Sequence, residues 1–270
     1  MYNPARYSHT LDELRTQGNF RFLRSSVPHN CINLSSNDYL GLCNDGELYN
    51  RFLDENSTRS YSFSAASSRL LTGNCAEYGE LEHRLCQLFH REAALVFNSG
   101  YHANCGILPA LAGKNDLIVA DKLVHASIID GIRLAHCDFE RFRHADYAHL
   151  ERILHEKHNT YEHIFIVSES IFSMDGDCAD LKKLVELKQK YNCLLYIDEA
   201  HAFGVRGAQG LGLAEEQGVI ADIDLLVATF GKAIASVGAF VVCNKILHSY
   251  LINHSRTLIF TTALPPINIA

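Results

Sequence analysis

No two of the nine cysteines in this sequence form a C-x-x-C pair; Cys31, Cys43, Cys75, Cys86, Cys105, Cys137, Cys178, Cys193 and Cys243 stand singly. An odd, scattered count excludes a disulfide framework and points to reduced thiols that act as small apolar fillers. Long hydrophobic runs are missing as well. The longest apolar stretch, 233–243, contains Ser236 and Gly238 and falls far below the roughly 18 residues that span a bilayer. No basic-then-apolar signal opens the chain, so a cytoplasmic protein is expected. Basic residues are in deficit, 24 against 31 acidic, giving a net charge of −7. That argues against a protein living mainly on bulk nucleic acid. Fifteen histidines make the charge drift in mild acid. With 17 glycines, 5 prolines and no repeat or low-complexity linker, collagen, coiled coil and disorder are excluded as the dominant state. A composition 47% hydrophobic and 20% charged is that of a globular protein, and 270 residues allow one large domain or two small ones.

What is present is an alternation. Residues 1–50 read as an N-terminal segment, mixed and polar, with a short amphipathic pattern at Leu11 and Leu14. Residues 51–270 read as one large domain. Apolar runs at 93–97, 117–120, 163–167, 194–197, 225–228 and 239–242 alternate with helix-period stretches. The stretch 77–89 puts Leu81, Leu85 and Leu88 on one face. The stretch 179–191 does the same with Leu181, Leu184, Val185 and Leu187, opposite Lys and Glu. The runs show no polar alternation, as expected of strands covered on both faces. The pattern predicts an α/β fold with a mainly parallel central sheet and helices on both faces.

Polar, reactive residues follow successive runs: Asn98-Ser99-Gly100-Tyr101-His102, Asp121 with His125, Ser168-Glu169 with Ser173, Asp198-Glu199 with His201, and Thr229 with Gly231-Lys232. The carboxyl edge of an open α/β sheet is where ligands bind. Several chemistries can be set aside. Asp198-Glu199-Ala200-His201 could belong to an ATPase, but neither Gly113-Lys114 nor Gly231-Lys232 completes a phosphate loop. His125 and His201 lack metal-ligand spacing. Asn98-Ser99-Gly100 is only half of a serine-hydrolase elbow.

A pyridoxal phosphate (PLP) site needs a lysine for the Schiff base and a carboxylate for the pyridine nitrogen. It also needs a flat group on the ring and a helix N-terminus for the phosphate. Lys232, Asp198, His125 and the Ser99-Gly100-Tyr101 turn supply that set, with Thr229 three before the lysine. Singly, each has a plain structural reading: a surface lysine, a helix N-cap, a satisfied histidine.

Longer segments add specificity. Asn37-Asp38-Tyr39-Leu40-Gly41-Leu42, Asn98-Ser99-Gly100-Tyr101-His102-Ala103-Asn104 and Asp121-Lys122-Leu123-Val124-His125-Ala126-Ser127 resemble the α-oxoamine synthase family. So do Glu169-Ser170-Ile171-Phe172-Ser173-Met174-Asp175-Gly176-Asp177, Asp198-Glu199-Ala200-His201 and Thr229-Phe230-Gly231-Lys232. The resemblance implies a fold-type I, aminotransferase-like PLP enzyme and a homodimer with a shared site. Lys232 would hold the cofactor covalently and Asp198 would bind its pyridine nitrogen. His125 would stack on the ring and polarise the incoming carbonyl. Ser173 and His201 would contact the ring oxygen, and Gly100 and Tyr101 would meet the cofactor. Thr229 would bind phosphate, and Thr261 or Thr262 would reach the phosphate in the partner subunit. Arg21 and Asn37 would join His125 in contacting substrate; Arg15 and Arg24 lie close to Arg21.

Two departures from the family pattern stand out. Ser64-Ala65-Ala66-Ser67-Ser68-Arg69 replaces a usually glycine-rich segment, and Ala and Ser disfavour positive φ, so this loop is expected to run differently. The family carries a further C-terminal domain, and the sequence stops at Ala270 after Pro265-Pro266, so that small domain is expected to be absent. The implied reaction is decarboxylative condensation of L-alanine with a pimeloyl thioester, on coenzyme A or an acyl carrier protein. The alternatives are glycine with acetyl-CoA, another reaction of the family, or a non-catalytic subunit of the same fold.

Overall fold

The computed structural model describes residues 3–23 and 31–270. The chain divides into two units, Met1–Ser36 and Asn37–Ala270. The first contains α1 (Ala5–Thr16). In the second, α2 (Gly46–Glu55) and α3 (Ala76–Phe89) precede β1 (Ala93–Phe97) and α4 (Gly100–Leu111). There follow β2 (Leu117–Asp121), α5 (Ala126–Leu134), β3 (Asp138–Phe142), α6 (Tyr147–Lys157), β4 (Ile164–Glu169) and α7 (Leu181–Tyr191). The unit ends with β5 (Leu194–Asp198), α8 (Leu213–Gln217), β6 (Leu225–Thr229), β7 (Ala239–Cys243), α9 (Lys245–His254), α10 (Arg256–Ile259) and α11 (Pro266–Ile269).

The seven strands form one sheet in the order β1-β7-β6-β5-β4-β2-β3. Only β7 runs antiparallel to its neighbours. Strands β1, β2, β4, β6 and β7 are buried at every residue, which a sheet covered on both faces requires. All six expected strands are present. The seventh, β3, was not expected. Its sequence DFERF is polar and mostly open to solvent, as an edge strand allows.

Helix ends follow local chemistry. The Asp180 side chain caps α7 by accepting from the Lys183 N–H, and Asn192 ends it in the left-handed region. Leu181, Leu184, Val185 and Leu187 form its buried face, each contributing about 1.5–3 kcal/mol on burial. Ser99 caps α4 through the His102 N–H, which fixes where that helix begins at the sheet's carboxyl edge. The Ser64–Arg69 segment does enter the left-handed region without a glycine: Ala66 lies at φ 52. Its far end is anchored by Arg69, which pairs with Glu82 at 2.7 Å and lies over the Tyr78 ring at 4.0 Å.

The α4–α5 crossing is tight because of Gly131. A Cβ there would lie 2.3 Å from the Asn104 carbonyl oxygen. A Gly131→Ala variant is therefore expected to lose about 2 kcal/mol and to lower Tm by several degrees. Gly79 in α3 has nothing within 4 Å of such a Cβ, so Gly79→Ala should raise Tm by a degree or more, through helix propensity. Calorimetry on the two variants checks both signs.

Candidate active site

Lys232 follows β6 in the loop that leads to β7. The neck of that loop is tied. Thr229 Oγ1 donates to the Gly238 carbonyl at 2.8 Å and accepts from the Gly231 N–H at 3.1 Å. Gly238 lies at φ +108, and a Cβ there would meet Leu264 Cδ1 at 2.9 Å, so glycine is required to close the loop. The lysine is thereby held with Nζ 2.7 Å from His201 Nε2. Burial lowers the Lys232 pKa. Burial and then the lysine charge push His201 down to about 4, so its ring is neutral at pH 7. An ammonium can only donate. Nε2 of His201 therefore accepts, and the ring proton sits on Nδ1. That proton is donated to the Tyr39 hydroxyl at 2.7 Å, which donates in turn to Asn37 Oδ1 at 3.2 Å.

Asp198 ends β5 and is 6% exposed. Its Oδ1 accepts from the Ala200 N–H at 2.9 Å and its Oδ2 from Asn104 Nδ2 at 2.9 Å. Glu169 ends β4 alongside it in register. The Glu169 carboxyl accepts from the His125 N–H. Burial, then the nearby Asp198 charge, raises its pKa to about 8. The neighbouring Glu199 is fully buried. It accepts from Ser170 Oγ at 2.5 Å and from the Leu213 and Ala214 N–H groups at 3.0 and 2.7 Å. Burial raises its pKa to about 7. It pins the loop after β5 to the start of α8.

One cavity of about 180 Å³ is lined by Gly100, Tyr101, His125, Asp198, His201, Thr229 and Lys232. Asn104, Ser127, Glu169 and Ala200 line it too; the sequence reading gave these four no role. The first N–H groups of α4, unpaired within the helix, open at Gly100 and Tyr101. A Cβ on Gly100 would meet only Thr229 Cβ, at 3.9 Å. The Tyr101 hydroxyl is tied to Asp130 at 2.5 Å, which raises its pKa to about 12.

The other expected residues lie apart. Ser173 is exposed and lines an adjoining cavity that shares His201 with the first and has Tyr39 on its wall. Thr261 and Thr262 sit beside Asn98, whose Nδ2 donates to the Thr262 carbonyl at 2.7 Å, and neither lines the Lys232 cavity. Asn37 reaches the site through Tyr39. Arg21 belongs to the first unit, and Arg24 falls outside the described residues. Among the described residues no His, Cys, Asp or Glu cluster could hold a metal, and no helix is long and apolar enough to cross a membrane.

The residues fit PLP. A lysine amine, an acceptor-only carboxylate and an open helix N-terminus converge on one cavity without any metal-ligand set. The buried acids also set a pH dependence. Folding raises the carboxyl pKa of Glu169 from 4.5 to about 8 and of Glu199 from 4.5 to about 7. The folded state then binds more protons than the unfolded chain across that window, so stability falls as pH rises through it. Tm of the cofactor-free protein should drop between pH 5 and about 8.5. Glu169→Gln, which keeps an acceptor for the His125 N–H, should flatten that slope.

The family model for aminotransferases of class I and II matches residues 29–270. The chain is 56% identical over 274 residues to a Pasteurella multocida (strain Pm70) protein provisionally named 8-amino-7-oxononanoate synthase, spanning 98% of this chain and 71% of that one. A protein with the same provisional name from Neisseria meningitidis serogroup A is 54% identical over 274 residues, spanning 98% and 72%. Among solved structures, a lysine-to-alanine variant of serine palmitoyltransferase from S. paucimobilis with a PLP–myriocin aldimine bound superposes with a TM-score of 0.87 at 29% identity, over 100% of this chain and 71% of that one. An 8-amino-7-oxononanoate synthase from Francisella tularensis gives 0.74 at 32% identity, over 89% and 66%. On these matches the chain belongs to the aminotransferase class I and II family of PLP enzymes, in the α-oxoamine synthase branch.

Proposed function

We propose that this protein binds PLP at Lys232 and condenses L-alanine with a pimeloyl thioester, releasing carbon dioxide and the thiol and forming 8-amino-7-oxononanoate. The observation that carries the reading is the Lys232–His201 pair at 2.7 Å, in one cavity with buried Asp198 and the open end of α4. The choice of alanine and pimeloyl rests on the relatives' names at 54–56% identity, against 29% for the palmitoyltransferase.

Asp198 would hold the pyridine nitrogen, and the first N–H groups of α4 would hold the phosphate. Bound there, PLP supplies the electron sink for loss of the Cα proton and of carbon dioxide. Lys232, its basicity lowered by burial, is the group placed to take the Cα proton. His125 stands on the cavity wall, where it would cover the ring and donate to the acyl carbonyl. His201 would steady Lys232 and, with Ser173, meet the ring oxygen. Arg21 and Asn37 are assigned to substrate. Thr261 and Thr262 do not line the cavity of their own chain. In the same reading the protein is a homodimer in which they serve the partner's phosphate. A cytoplasmic location belongs to the same reading.

The test has two stages. Adding PLP to the protein should produce a visible absorbance band that Lys232→Ala lacks; a band of equal strength in the variant would refute the lysine assignment. Turnover with alanine and pimeloyl-CoA should then yield 8-amino-7-oxononanoate by mass spectrometry. Product from glycine and acetyl-CoA alone would overturn the substrate assignment and leave the cofactor site standing.

A further inference from the structure

Asn104, 1% exposed in the middle of α4, has a partner for each polar atom of its side chain. Its amide faces the Asp198 carboxylate, which accepts only, so the NH2 group must point there. One N–H goes to Asp198 Oδ2 at 2.9 Å and the other to Ser127 Oγ at 2.9 Å. Its Oδ1 receives the hydroxyl of Tyr196, itself fully buried. Because Ser127 Oγ is already receiving a hydrogen, its own is available to His125 Nδ1, 2.7 Å away. The Ser127 backbone N–H also points at Nδ1, from 3.2 Å, where His125 caps α5. Two donors converge on one ring nitrogen, so Nδ1 is an acceptor. A His125 ring with a single proton carries it on Nε2, which makes no hydrogen bond among the described residues. His201 takes the opposite arrangement, with its proton on Nδ1 and its Nε2 turned to Lys232.

We propose that Asn104 is the positioning residue of this site: one buried amide orients the Asp198 carboxylate and, through Ser127, sets the His125 ring with its donor hydrogen on Nε2. The catalytic meaning of that hydrogen, a bond to a substrate carbonyl, rests on the function proposed above; the coupling itself does not. An amide linked to both groups aligns the base of the ring site and its cover together. Neither Asp198 nor His125 can shift without unpairing a buried donor, a costly state.

The experiment is nitrogen NMR of the ¹⁵N-histidine-labelled protein without cofactor, paired with PLP titrations. In the wild type, His125 should show an unprotonated Nδ1 and a protonated Nε2; a proton on Nδ1 overturns the proposal. In Asn104→Ala and in Ser127→Ala the ring signals should move toward the average of the two tautomers. PLP affinity should fall about tenfold or more in Asn104→Ala, the usual scale for a lost bond to a charged group. It should change less than about threefold in Ser127→Ala, where Asp198 keeps its partner. A folded Asn104→Ala with wild-type signals and affinity overturns the proposal. If that variant does not fold, unchanged ring signals in Ser127→Ala overturn it. A wild-type protein that fails to bind PLP contradicts the proposed function, and the ring signals still judge the network.

Discussion

A carboxylate at the end of a buried strand is the constraint on which the rest of this structure depends. Asp198 sits almost out of water, where a charge needs partners or a counter-charge. It finds the Ala200 N–H and the Asn104 amide, both at 2.9 Å. The helix that supplies the second, α4, also crosses α5 so closely that Gly131 has no room for a side chain. The same crossing brings Ser127, and through it His125, into line. The packing of two helices and the orientation of the acid are thus one arrangement.

Around that acid, charge is concentrated where burial makes it expensive. Glu169 and Asp198 stand side by side in register, Lys232 lines the same cavity, and Glu199 lies buried next to Asp198 in the chain. The result is a carboxyl displaced upward to about 8 and an imidazole displaced downward to about 4. Such opposed shifts at one strand edge are more characteristic of a working site than of a structural core. Fold stability is spent there and recovered in the sheet, whose inner strands are buried at every residue except Leu194 at the start of β5.

Much of this was legible in the sequence, because strands covered on both faces leave unbroken apolar runs and a polar residue at their ends. Six strands and the residues following them could be read in that way. Strand β3 could not. Lying at the sheet edge, it keeps a polar sequence, with Glu140 paired to Lys157 at 3.3 Å, and so carries no apolar signal. Residues that act through long-range pairing were equally hidden. Asn104 meets an acid 94 positions away, and Tyr39 meets a histidine 162 positions away. Nothing local distinguishes such an asparagine or tyrosine from its neighbours. Thr229 lines the lysine cavity, where phosphate binding was expected of it, and its hydroxyl also closes the lysine loop on Gly238, a contact with no local sequence signal. Ala66 shows the limit of a rule drawn from residue type, since it occupies a left-handed conformation that glycine accepts more readily.

In the proposed function a single lysine of the chain carries the cofactor. Borohydride reduction of the protein after incubation with PLP, followed by peptide mass mapping, tests it most directly. A single pyridoxyl-bearing peptide is expected, the one containing Lys232. A label on another lysine, or spread over several, would contradict it.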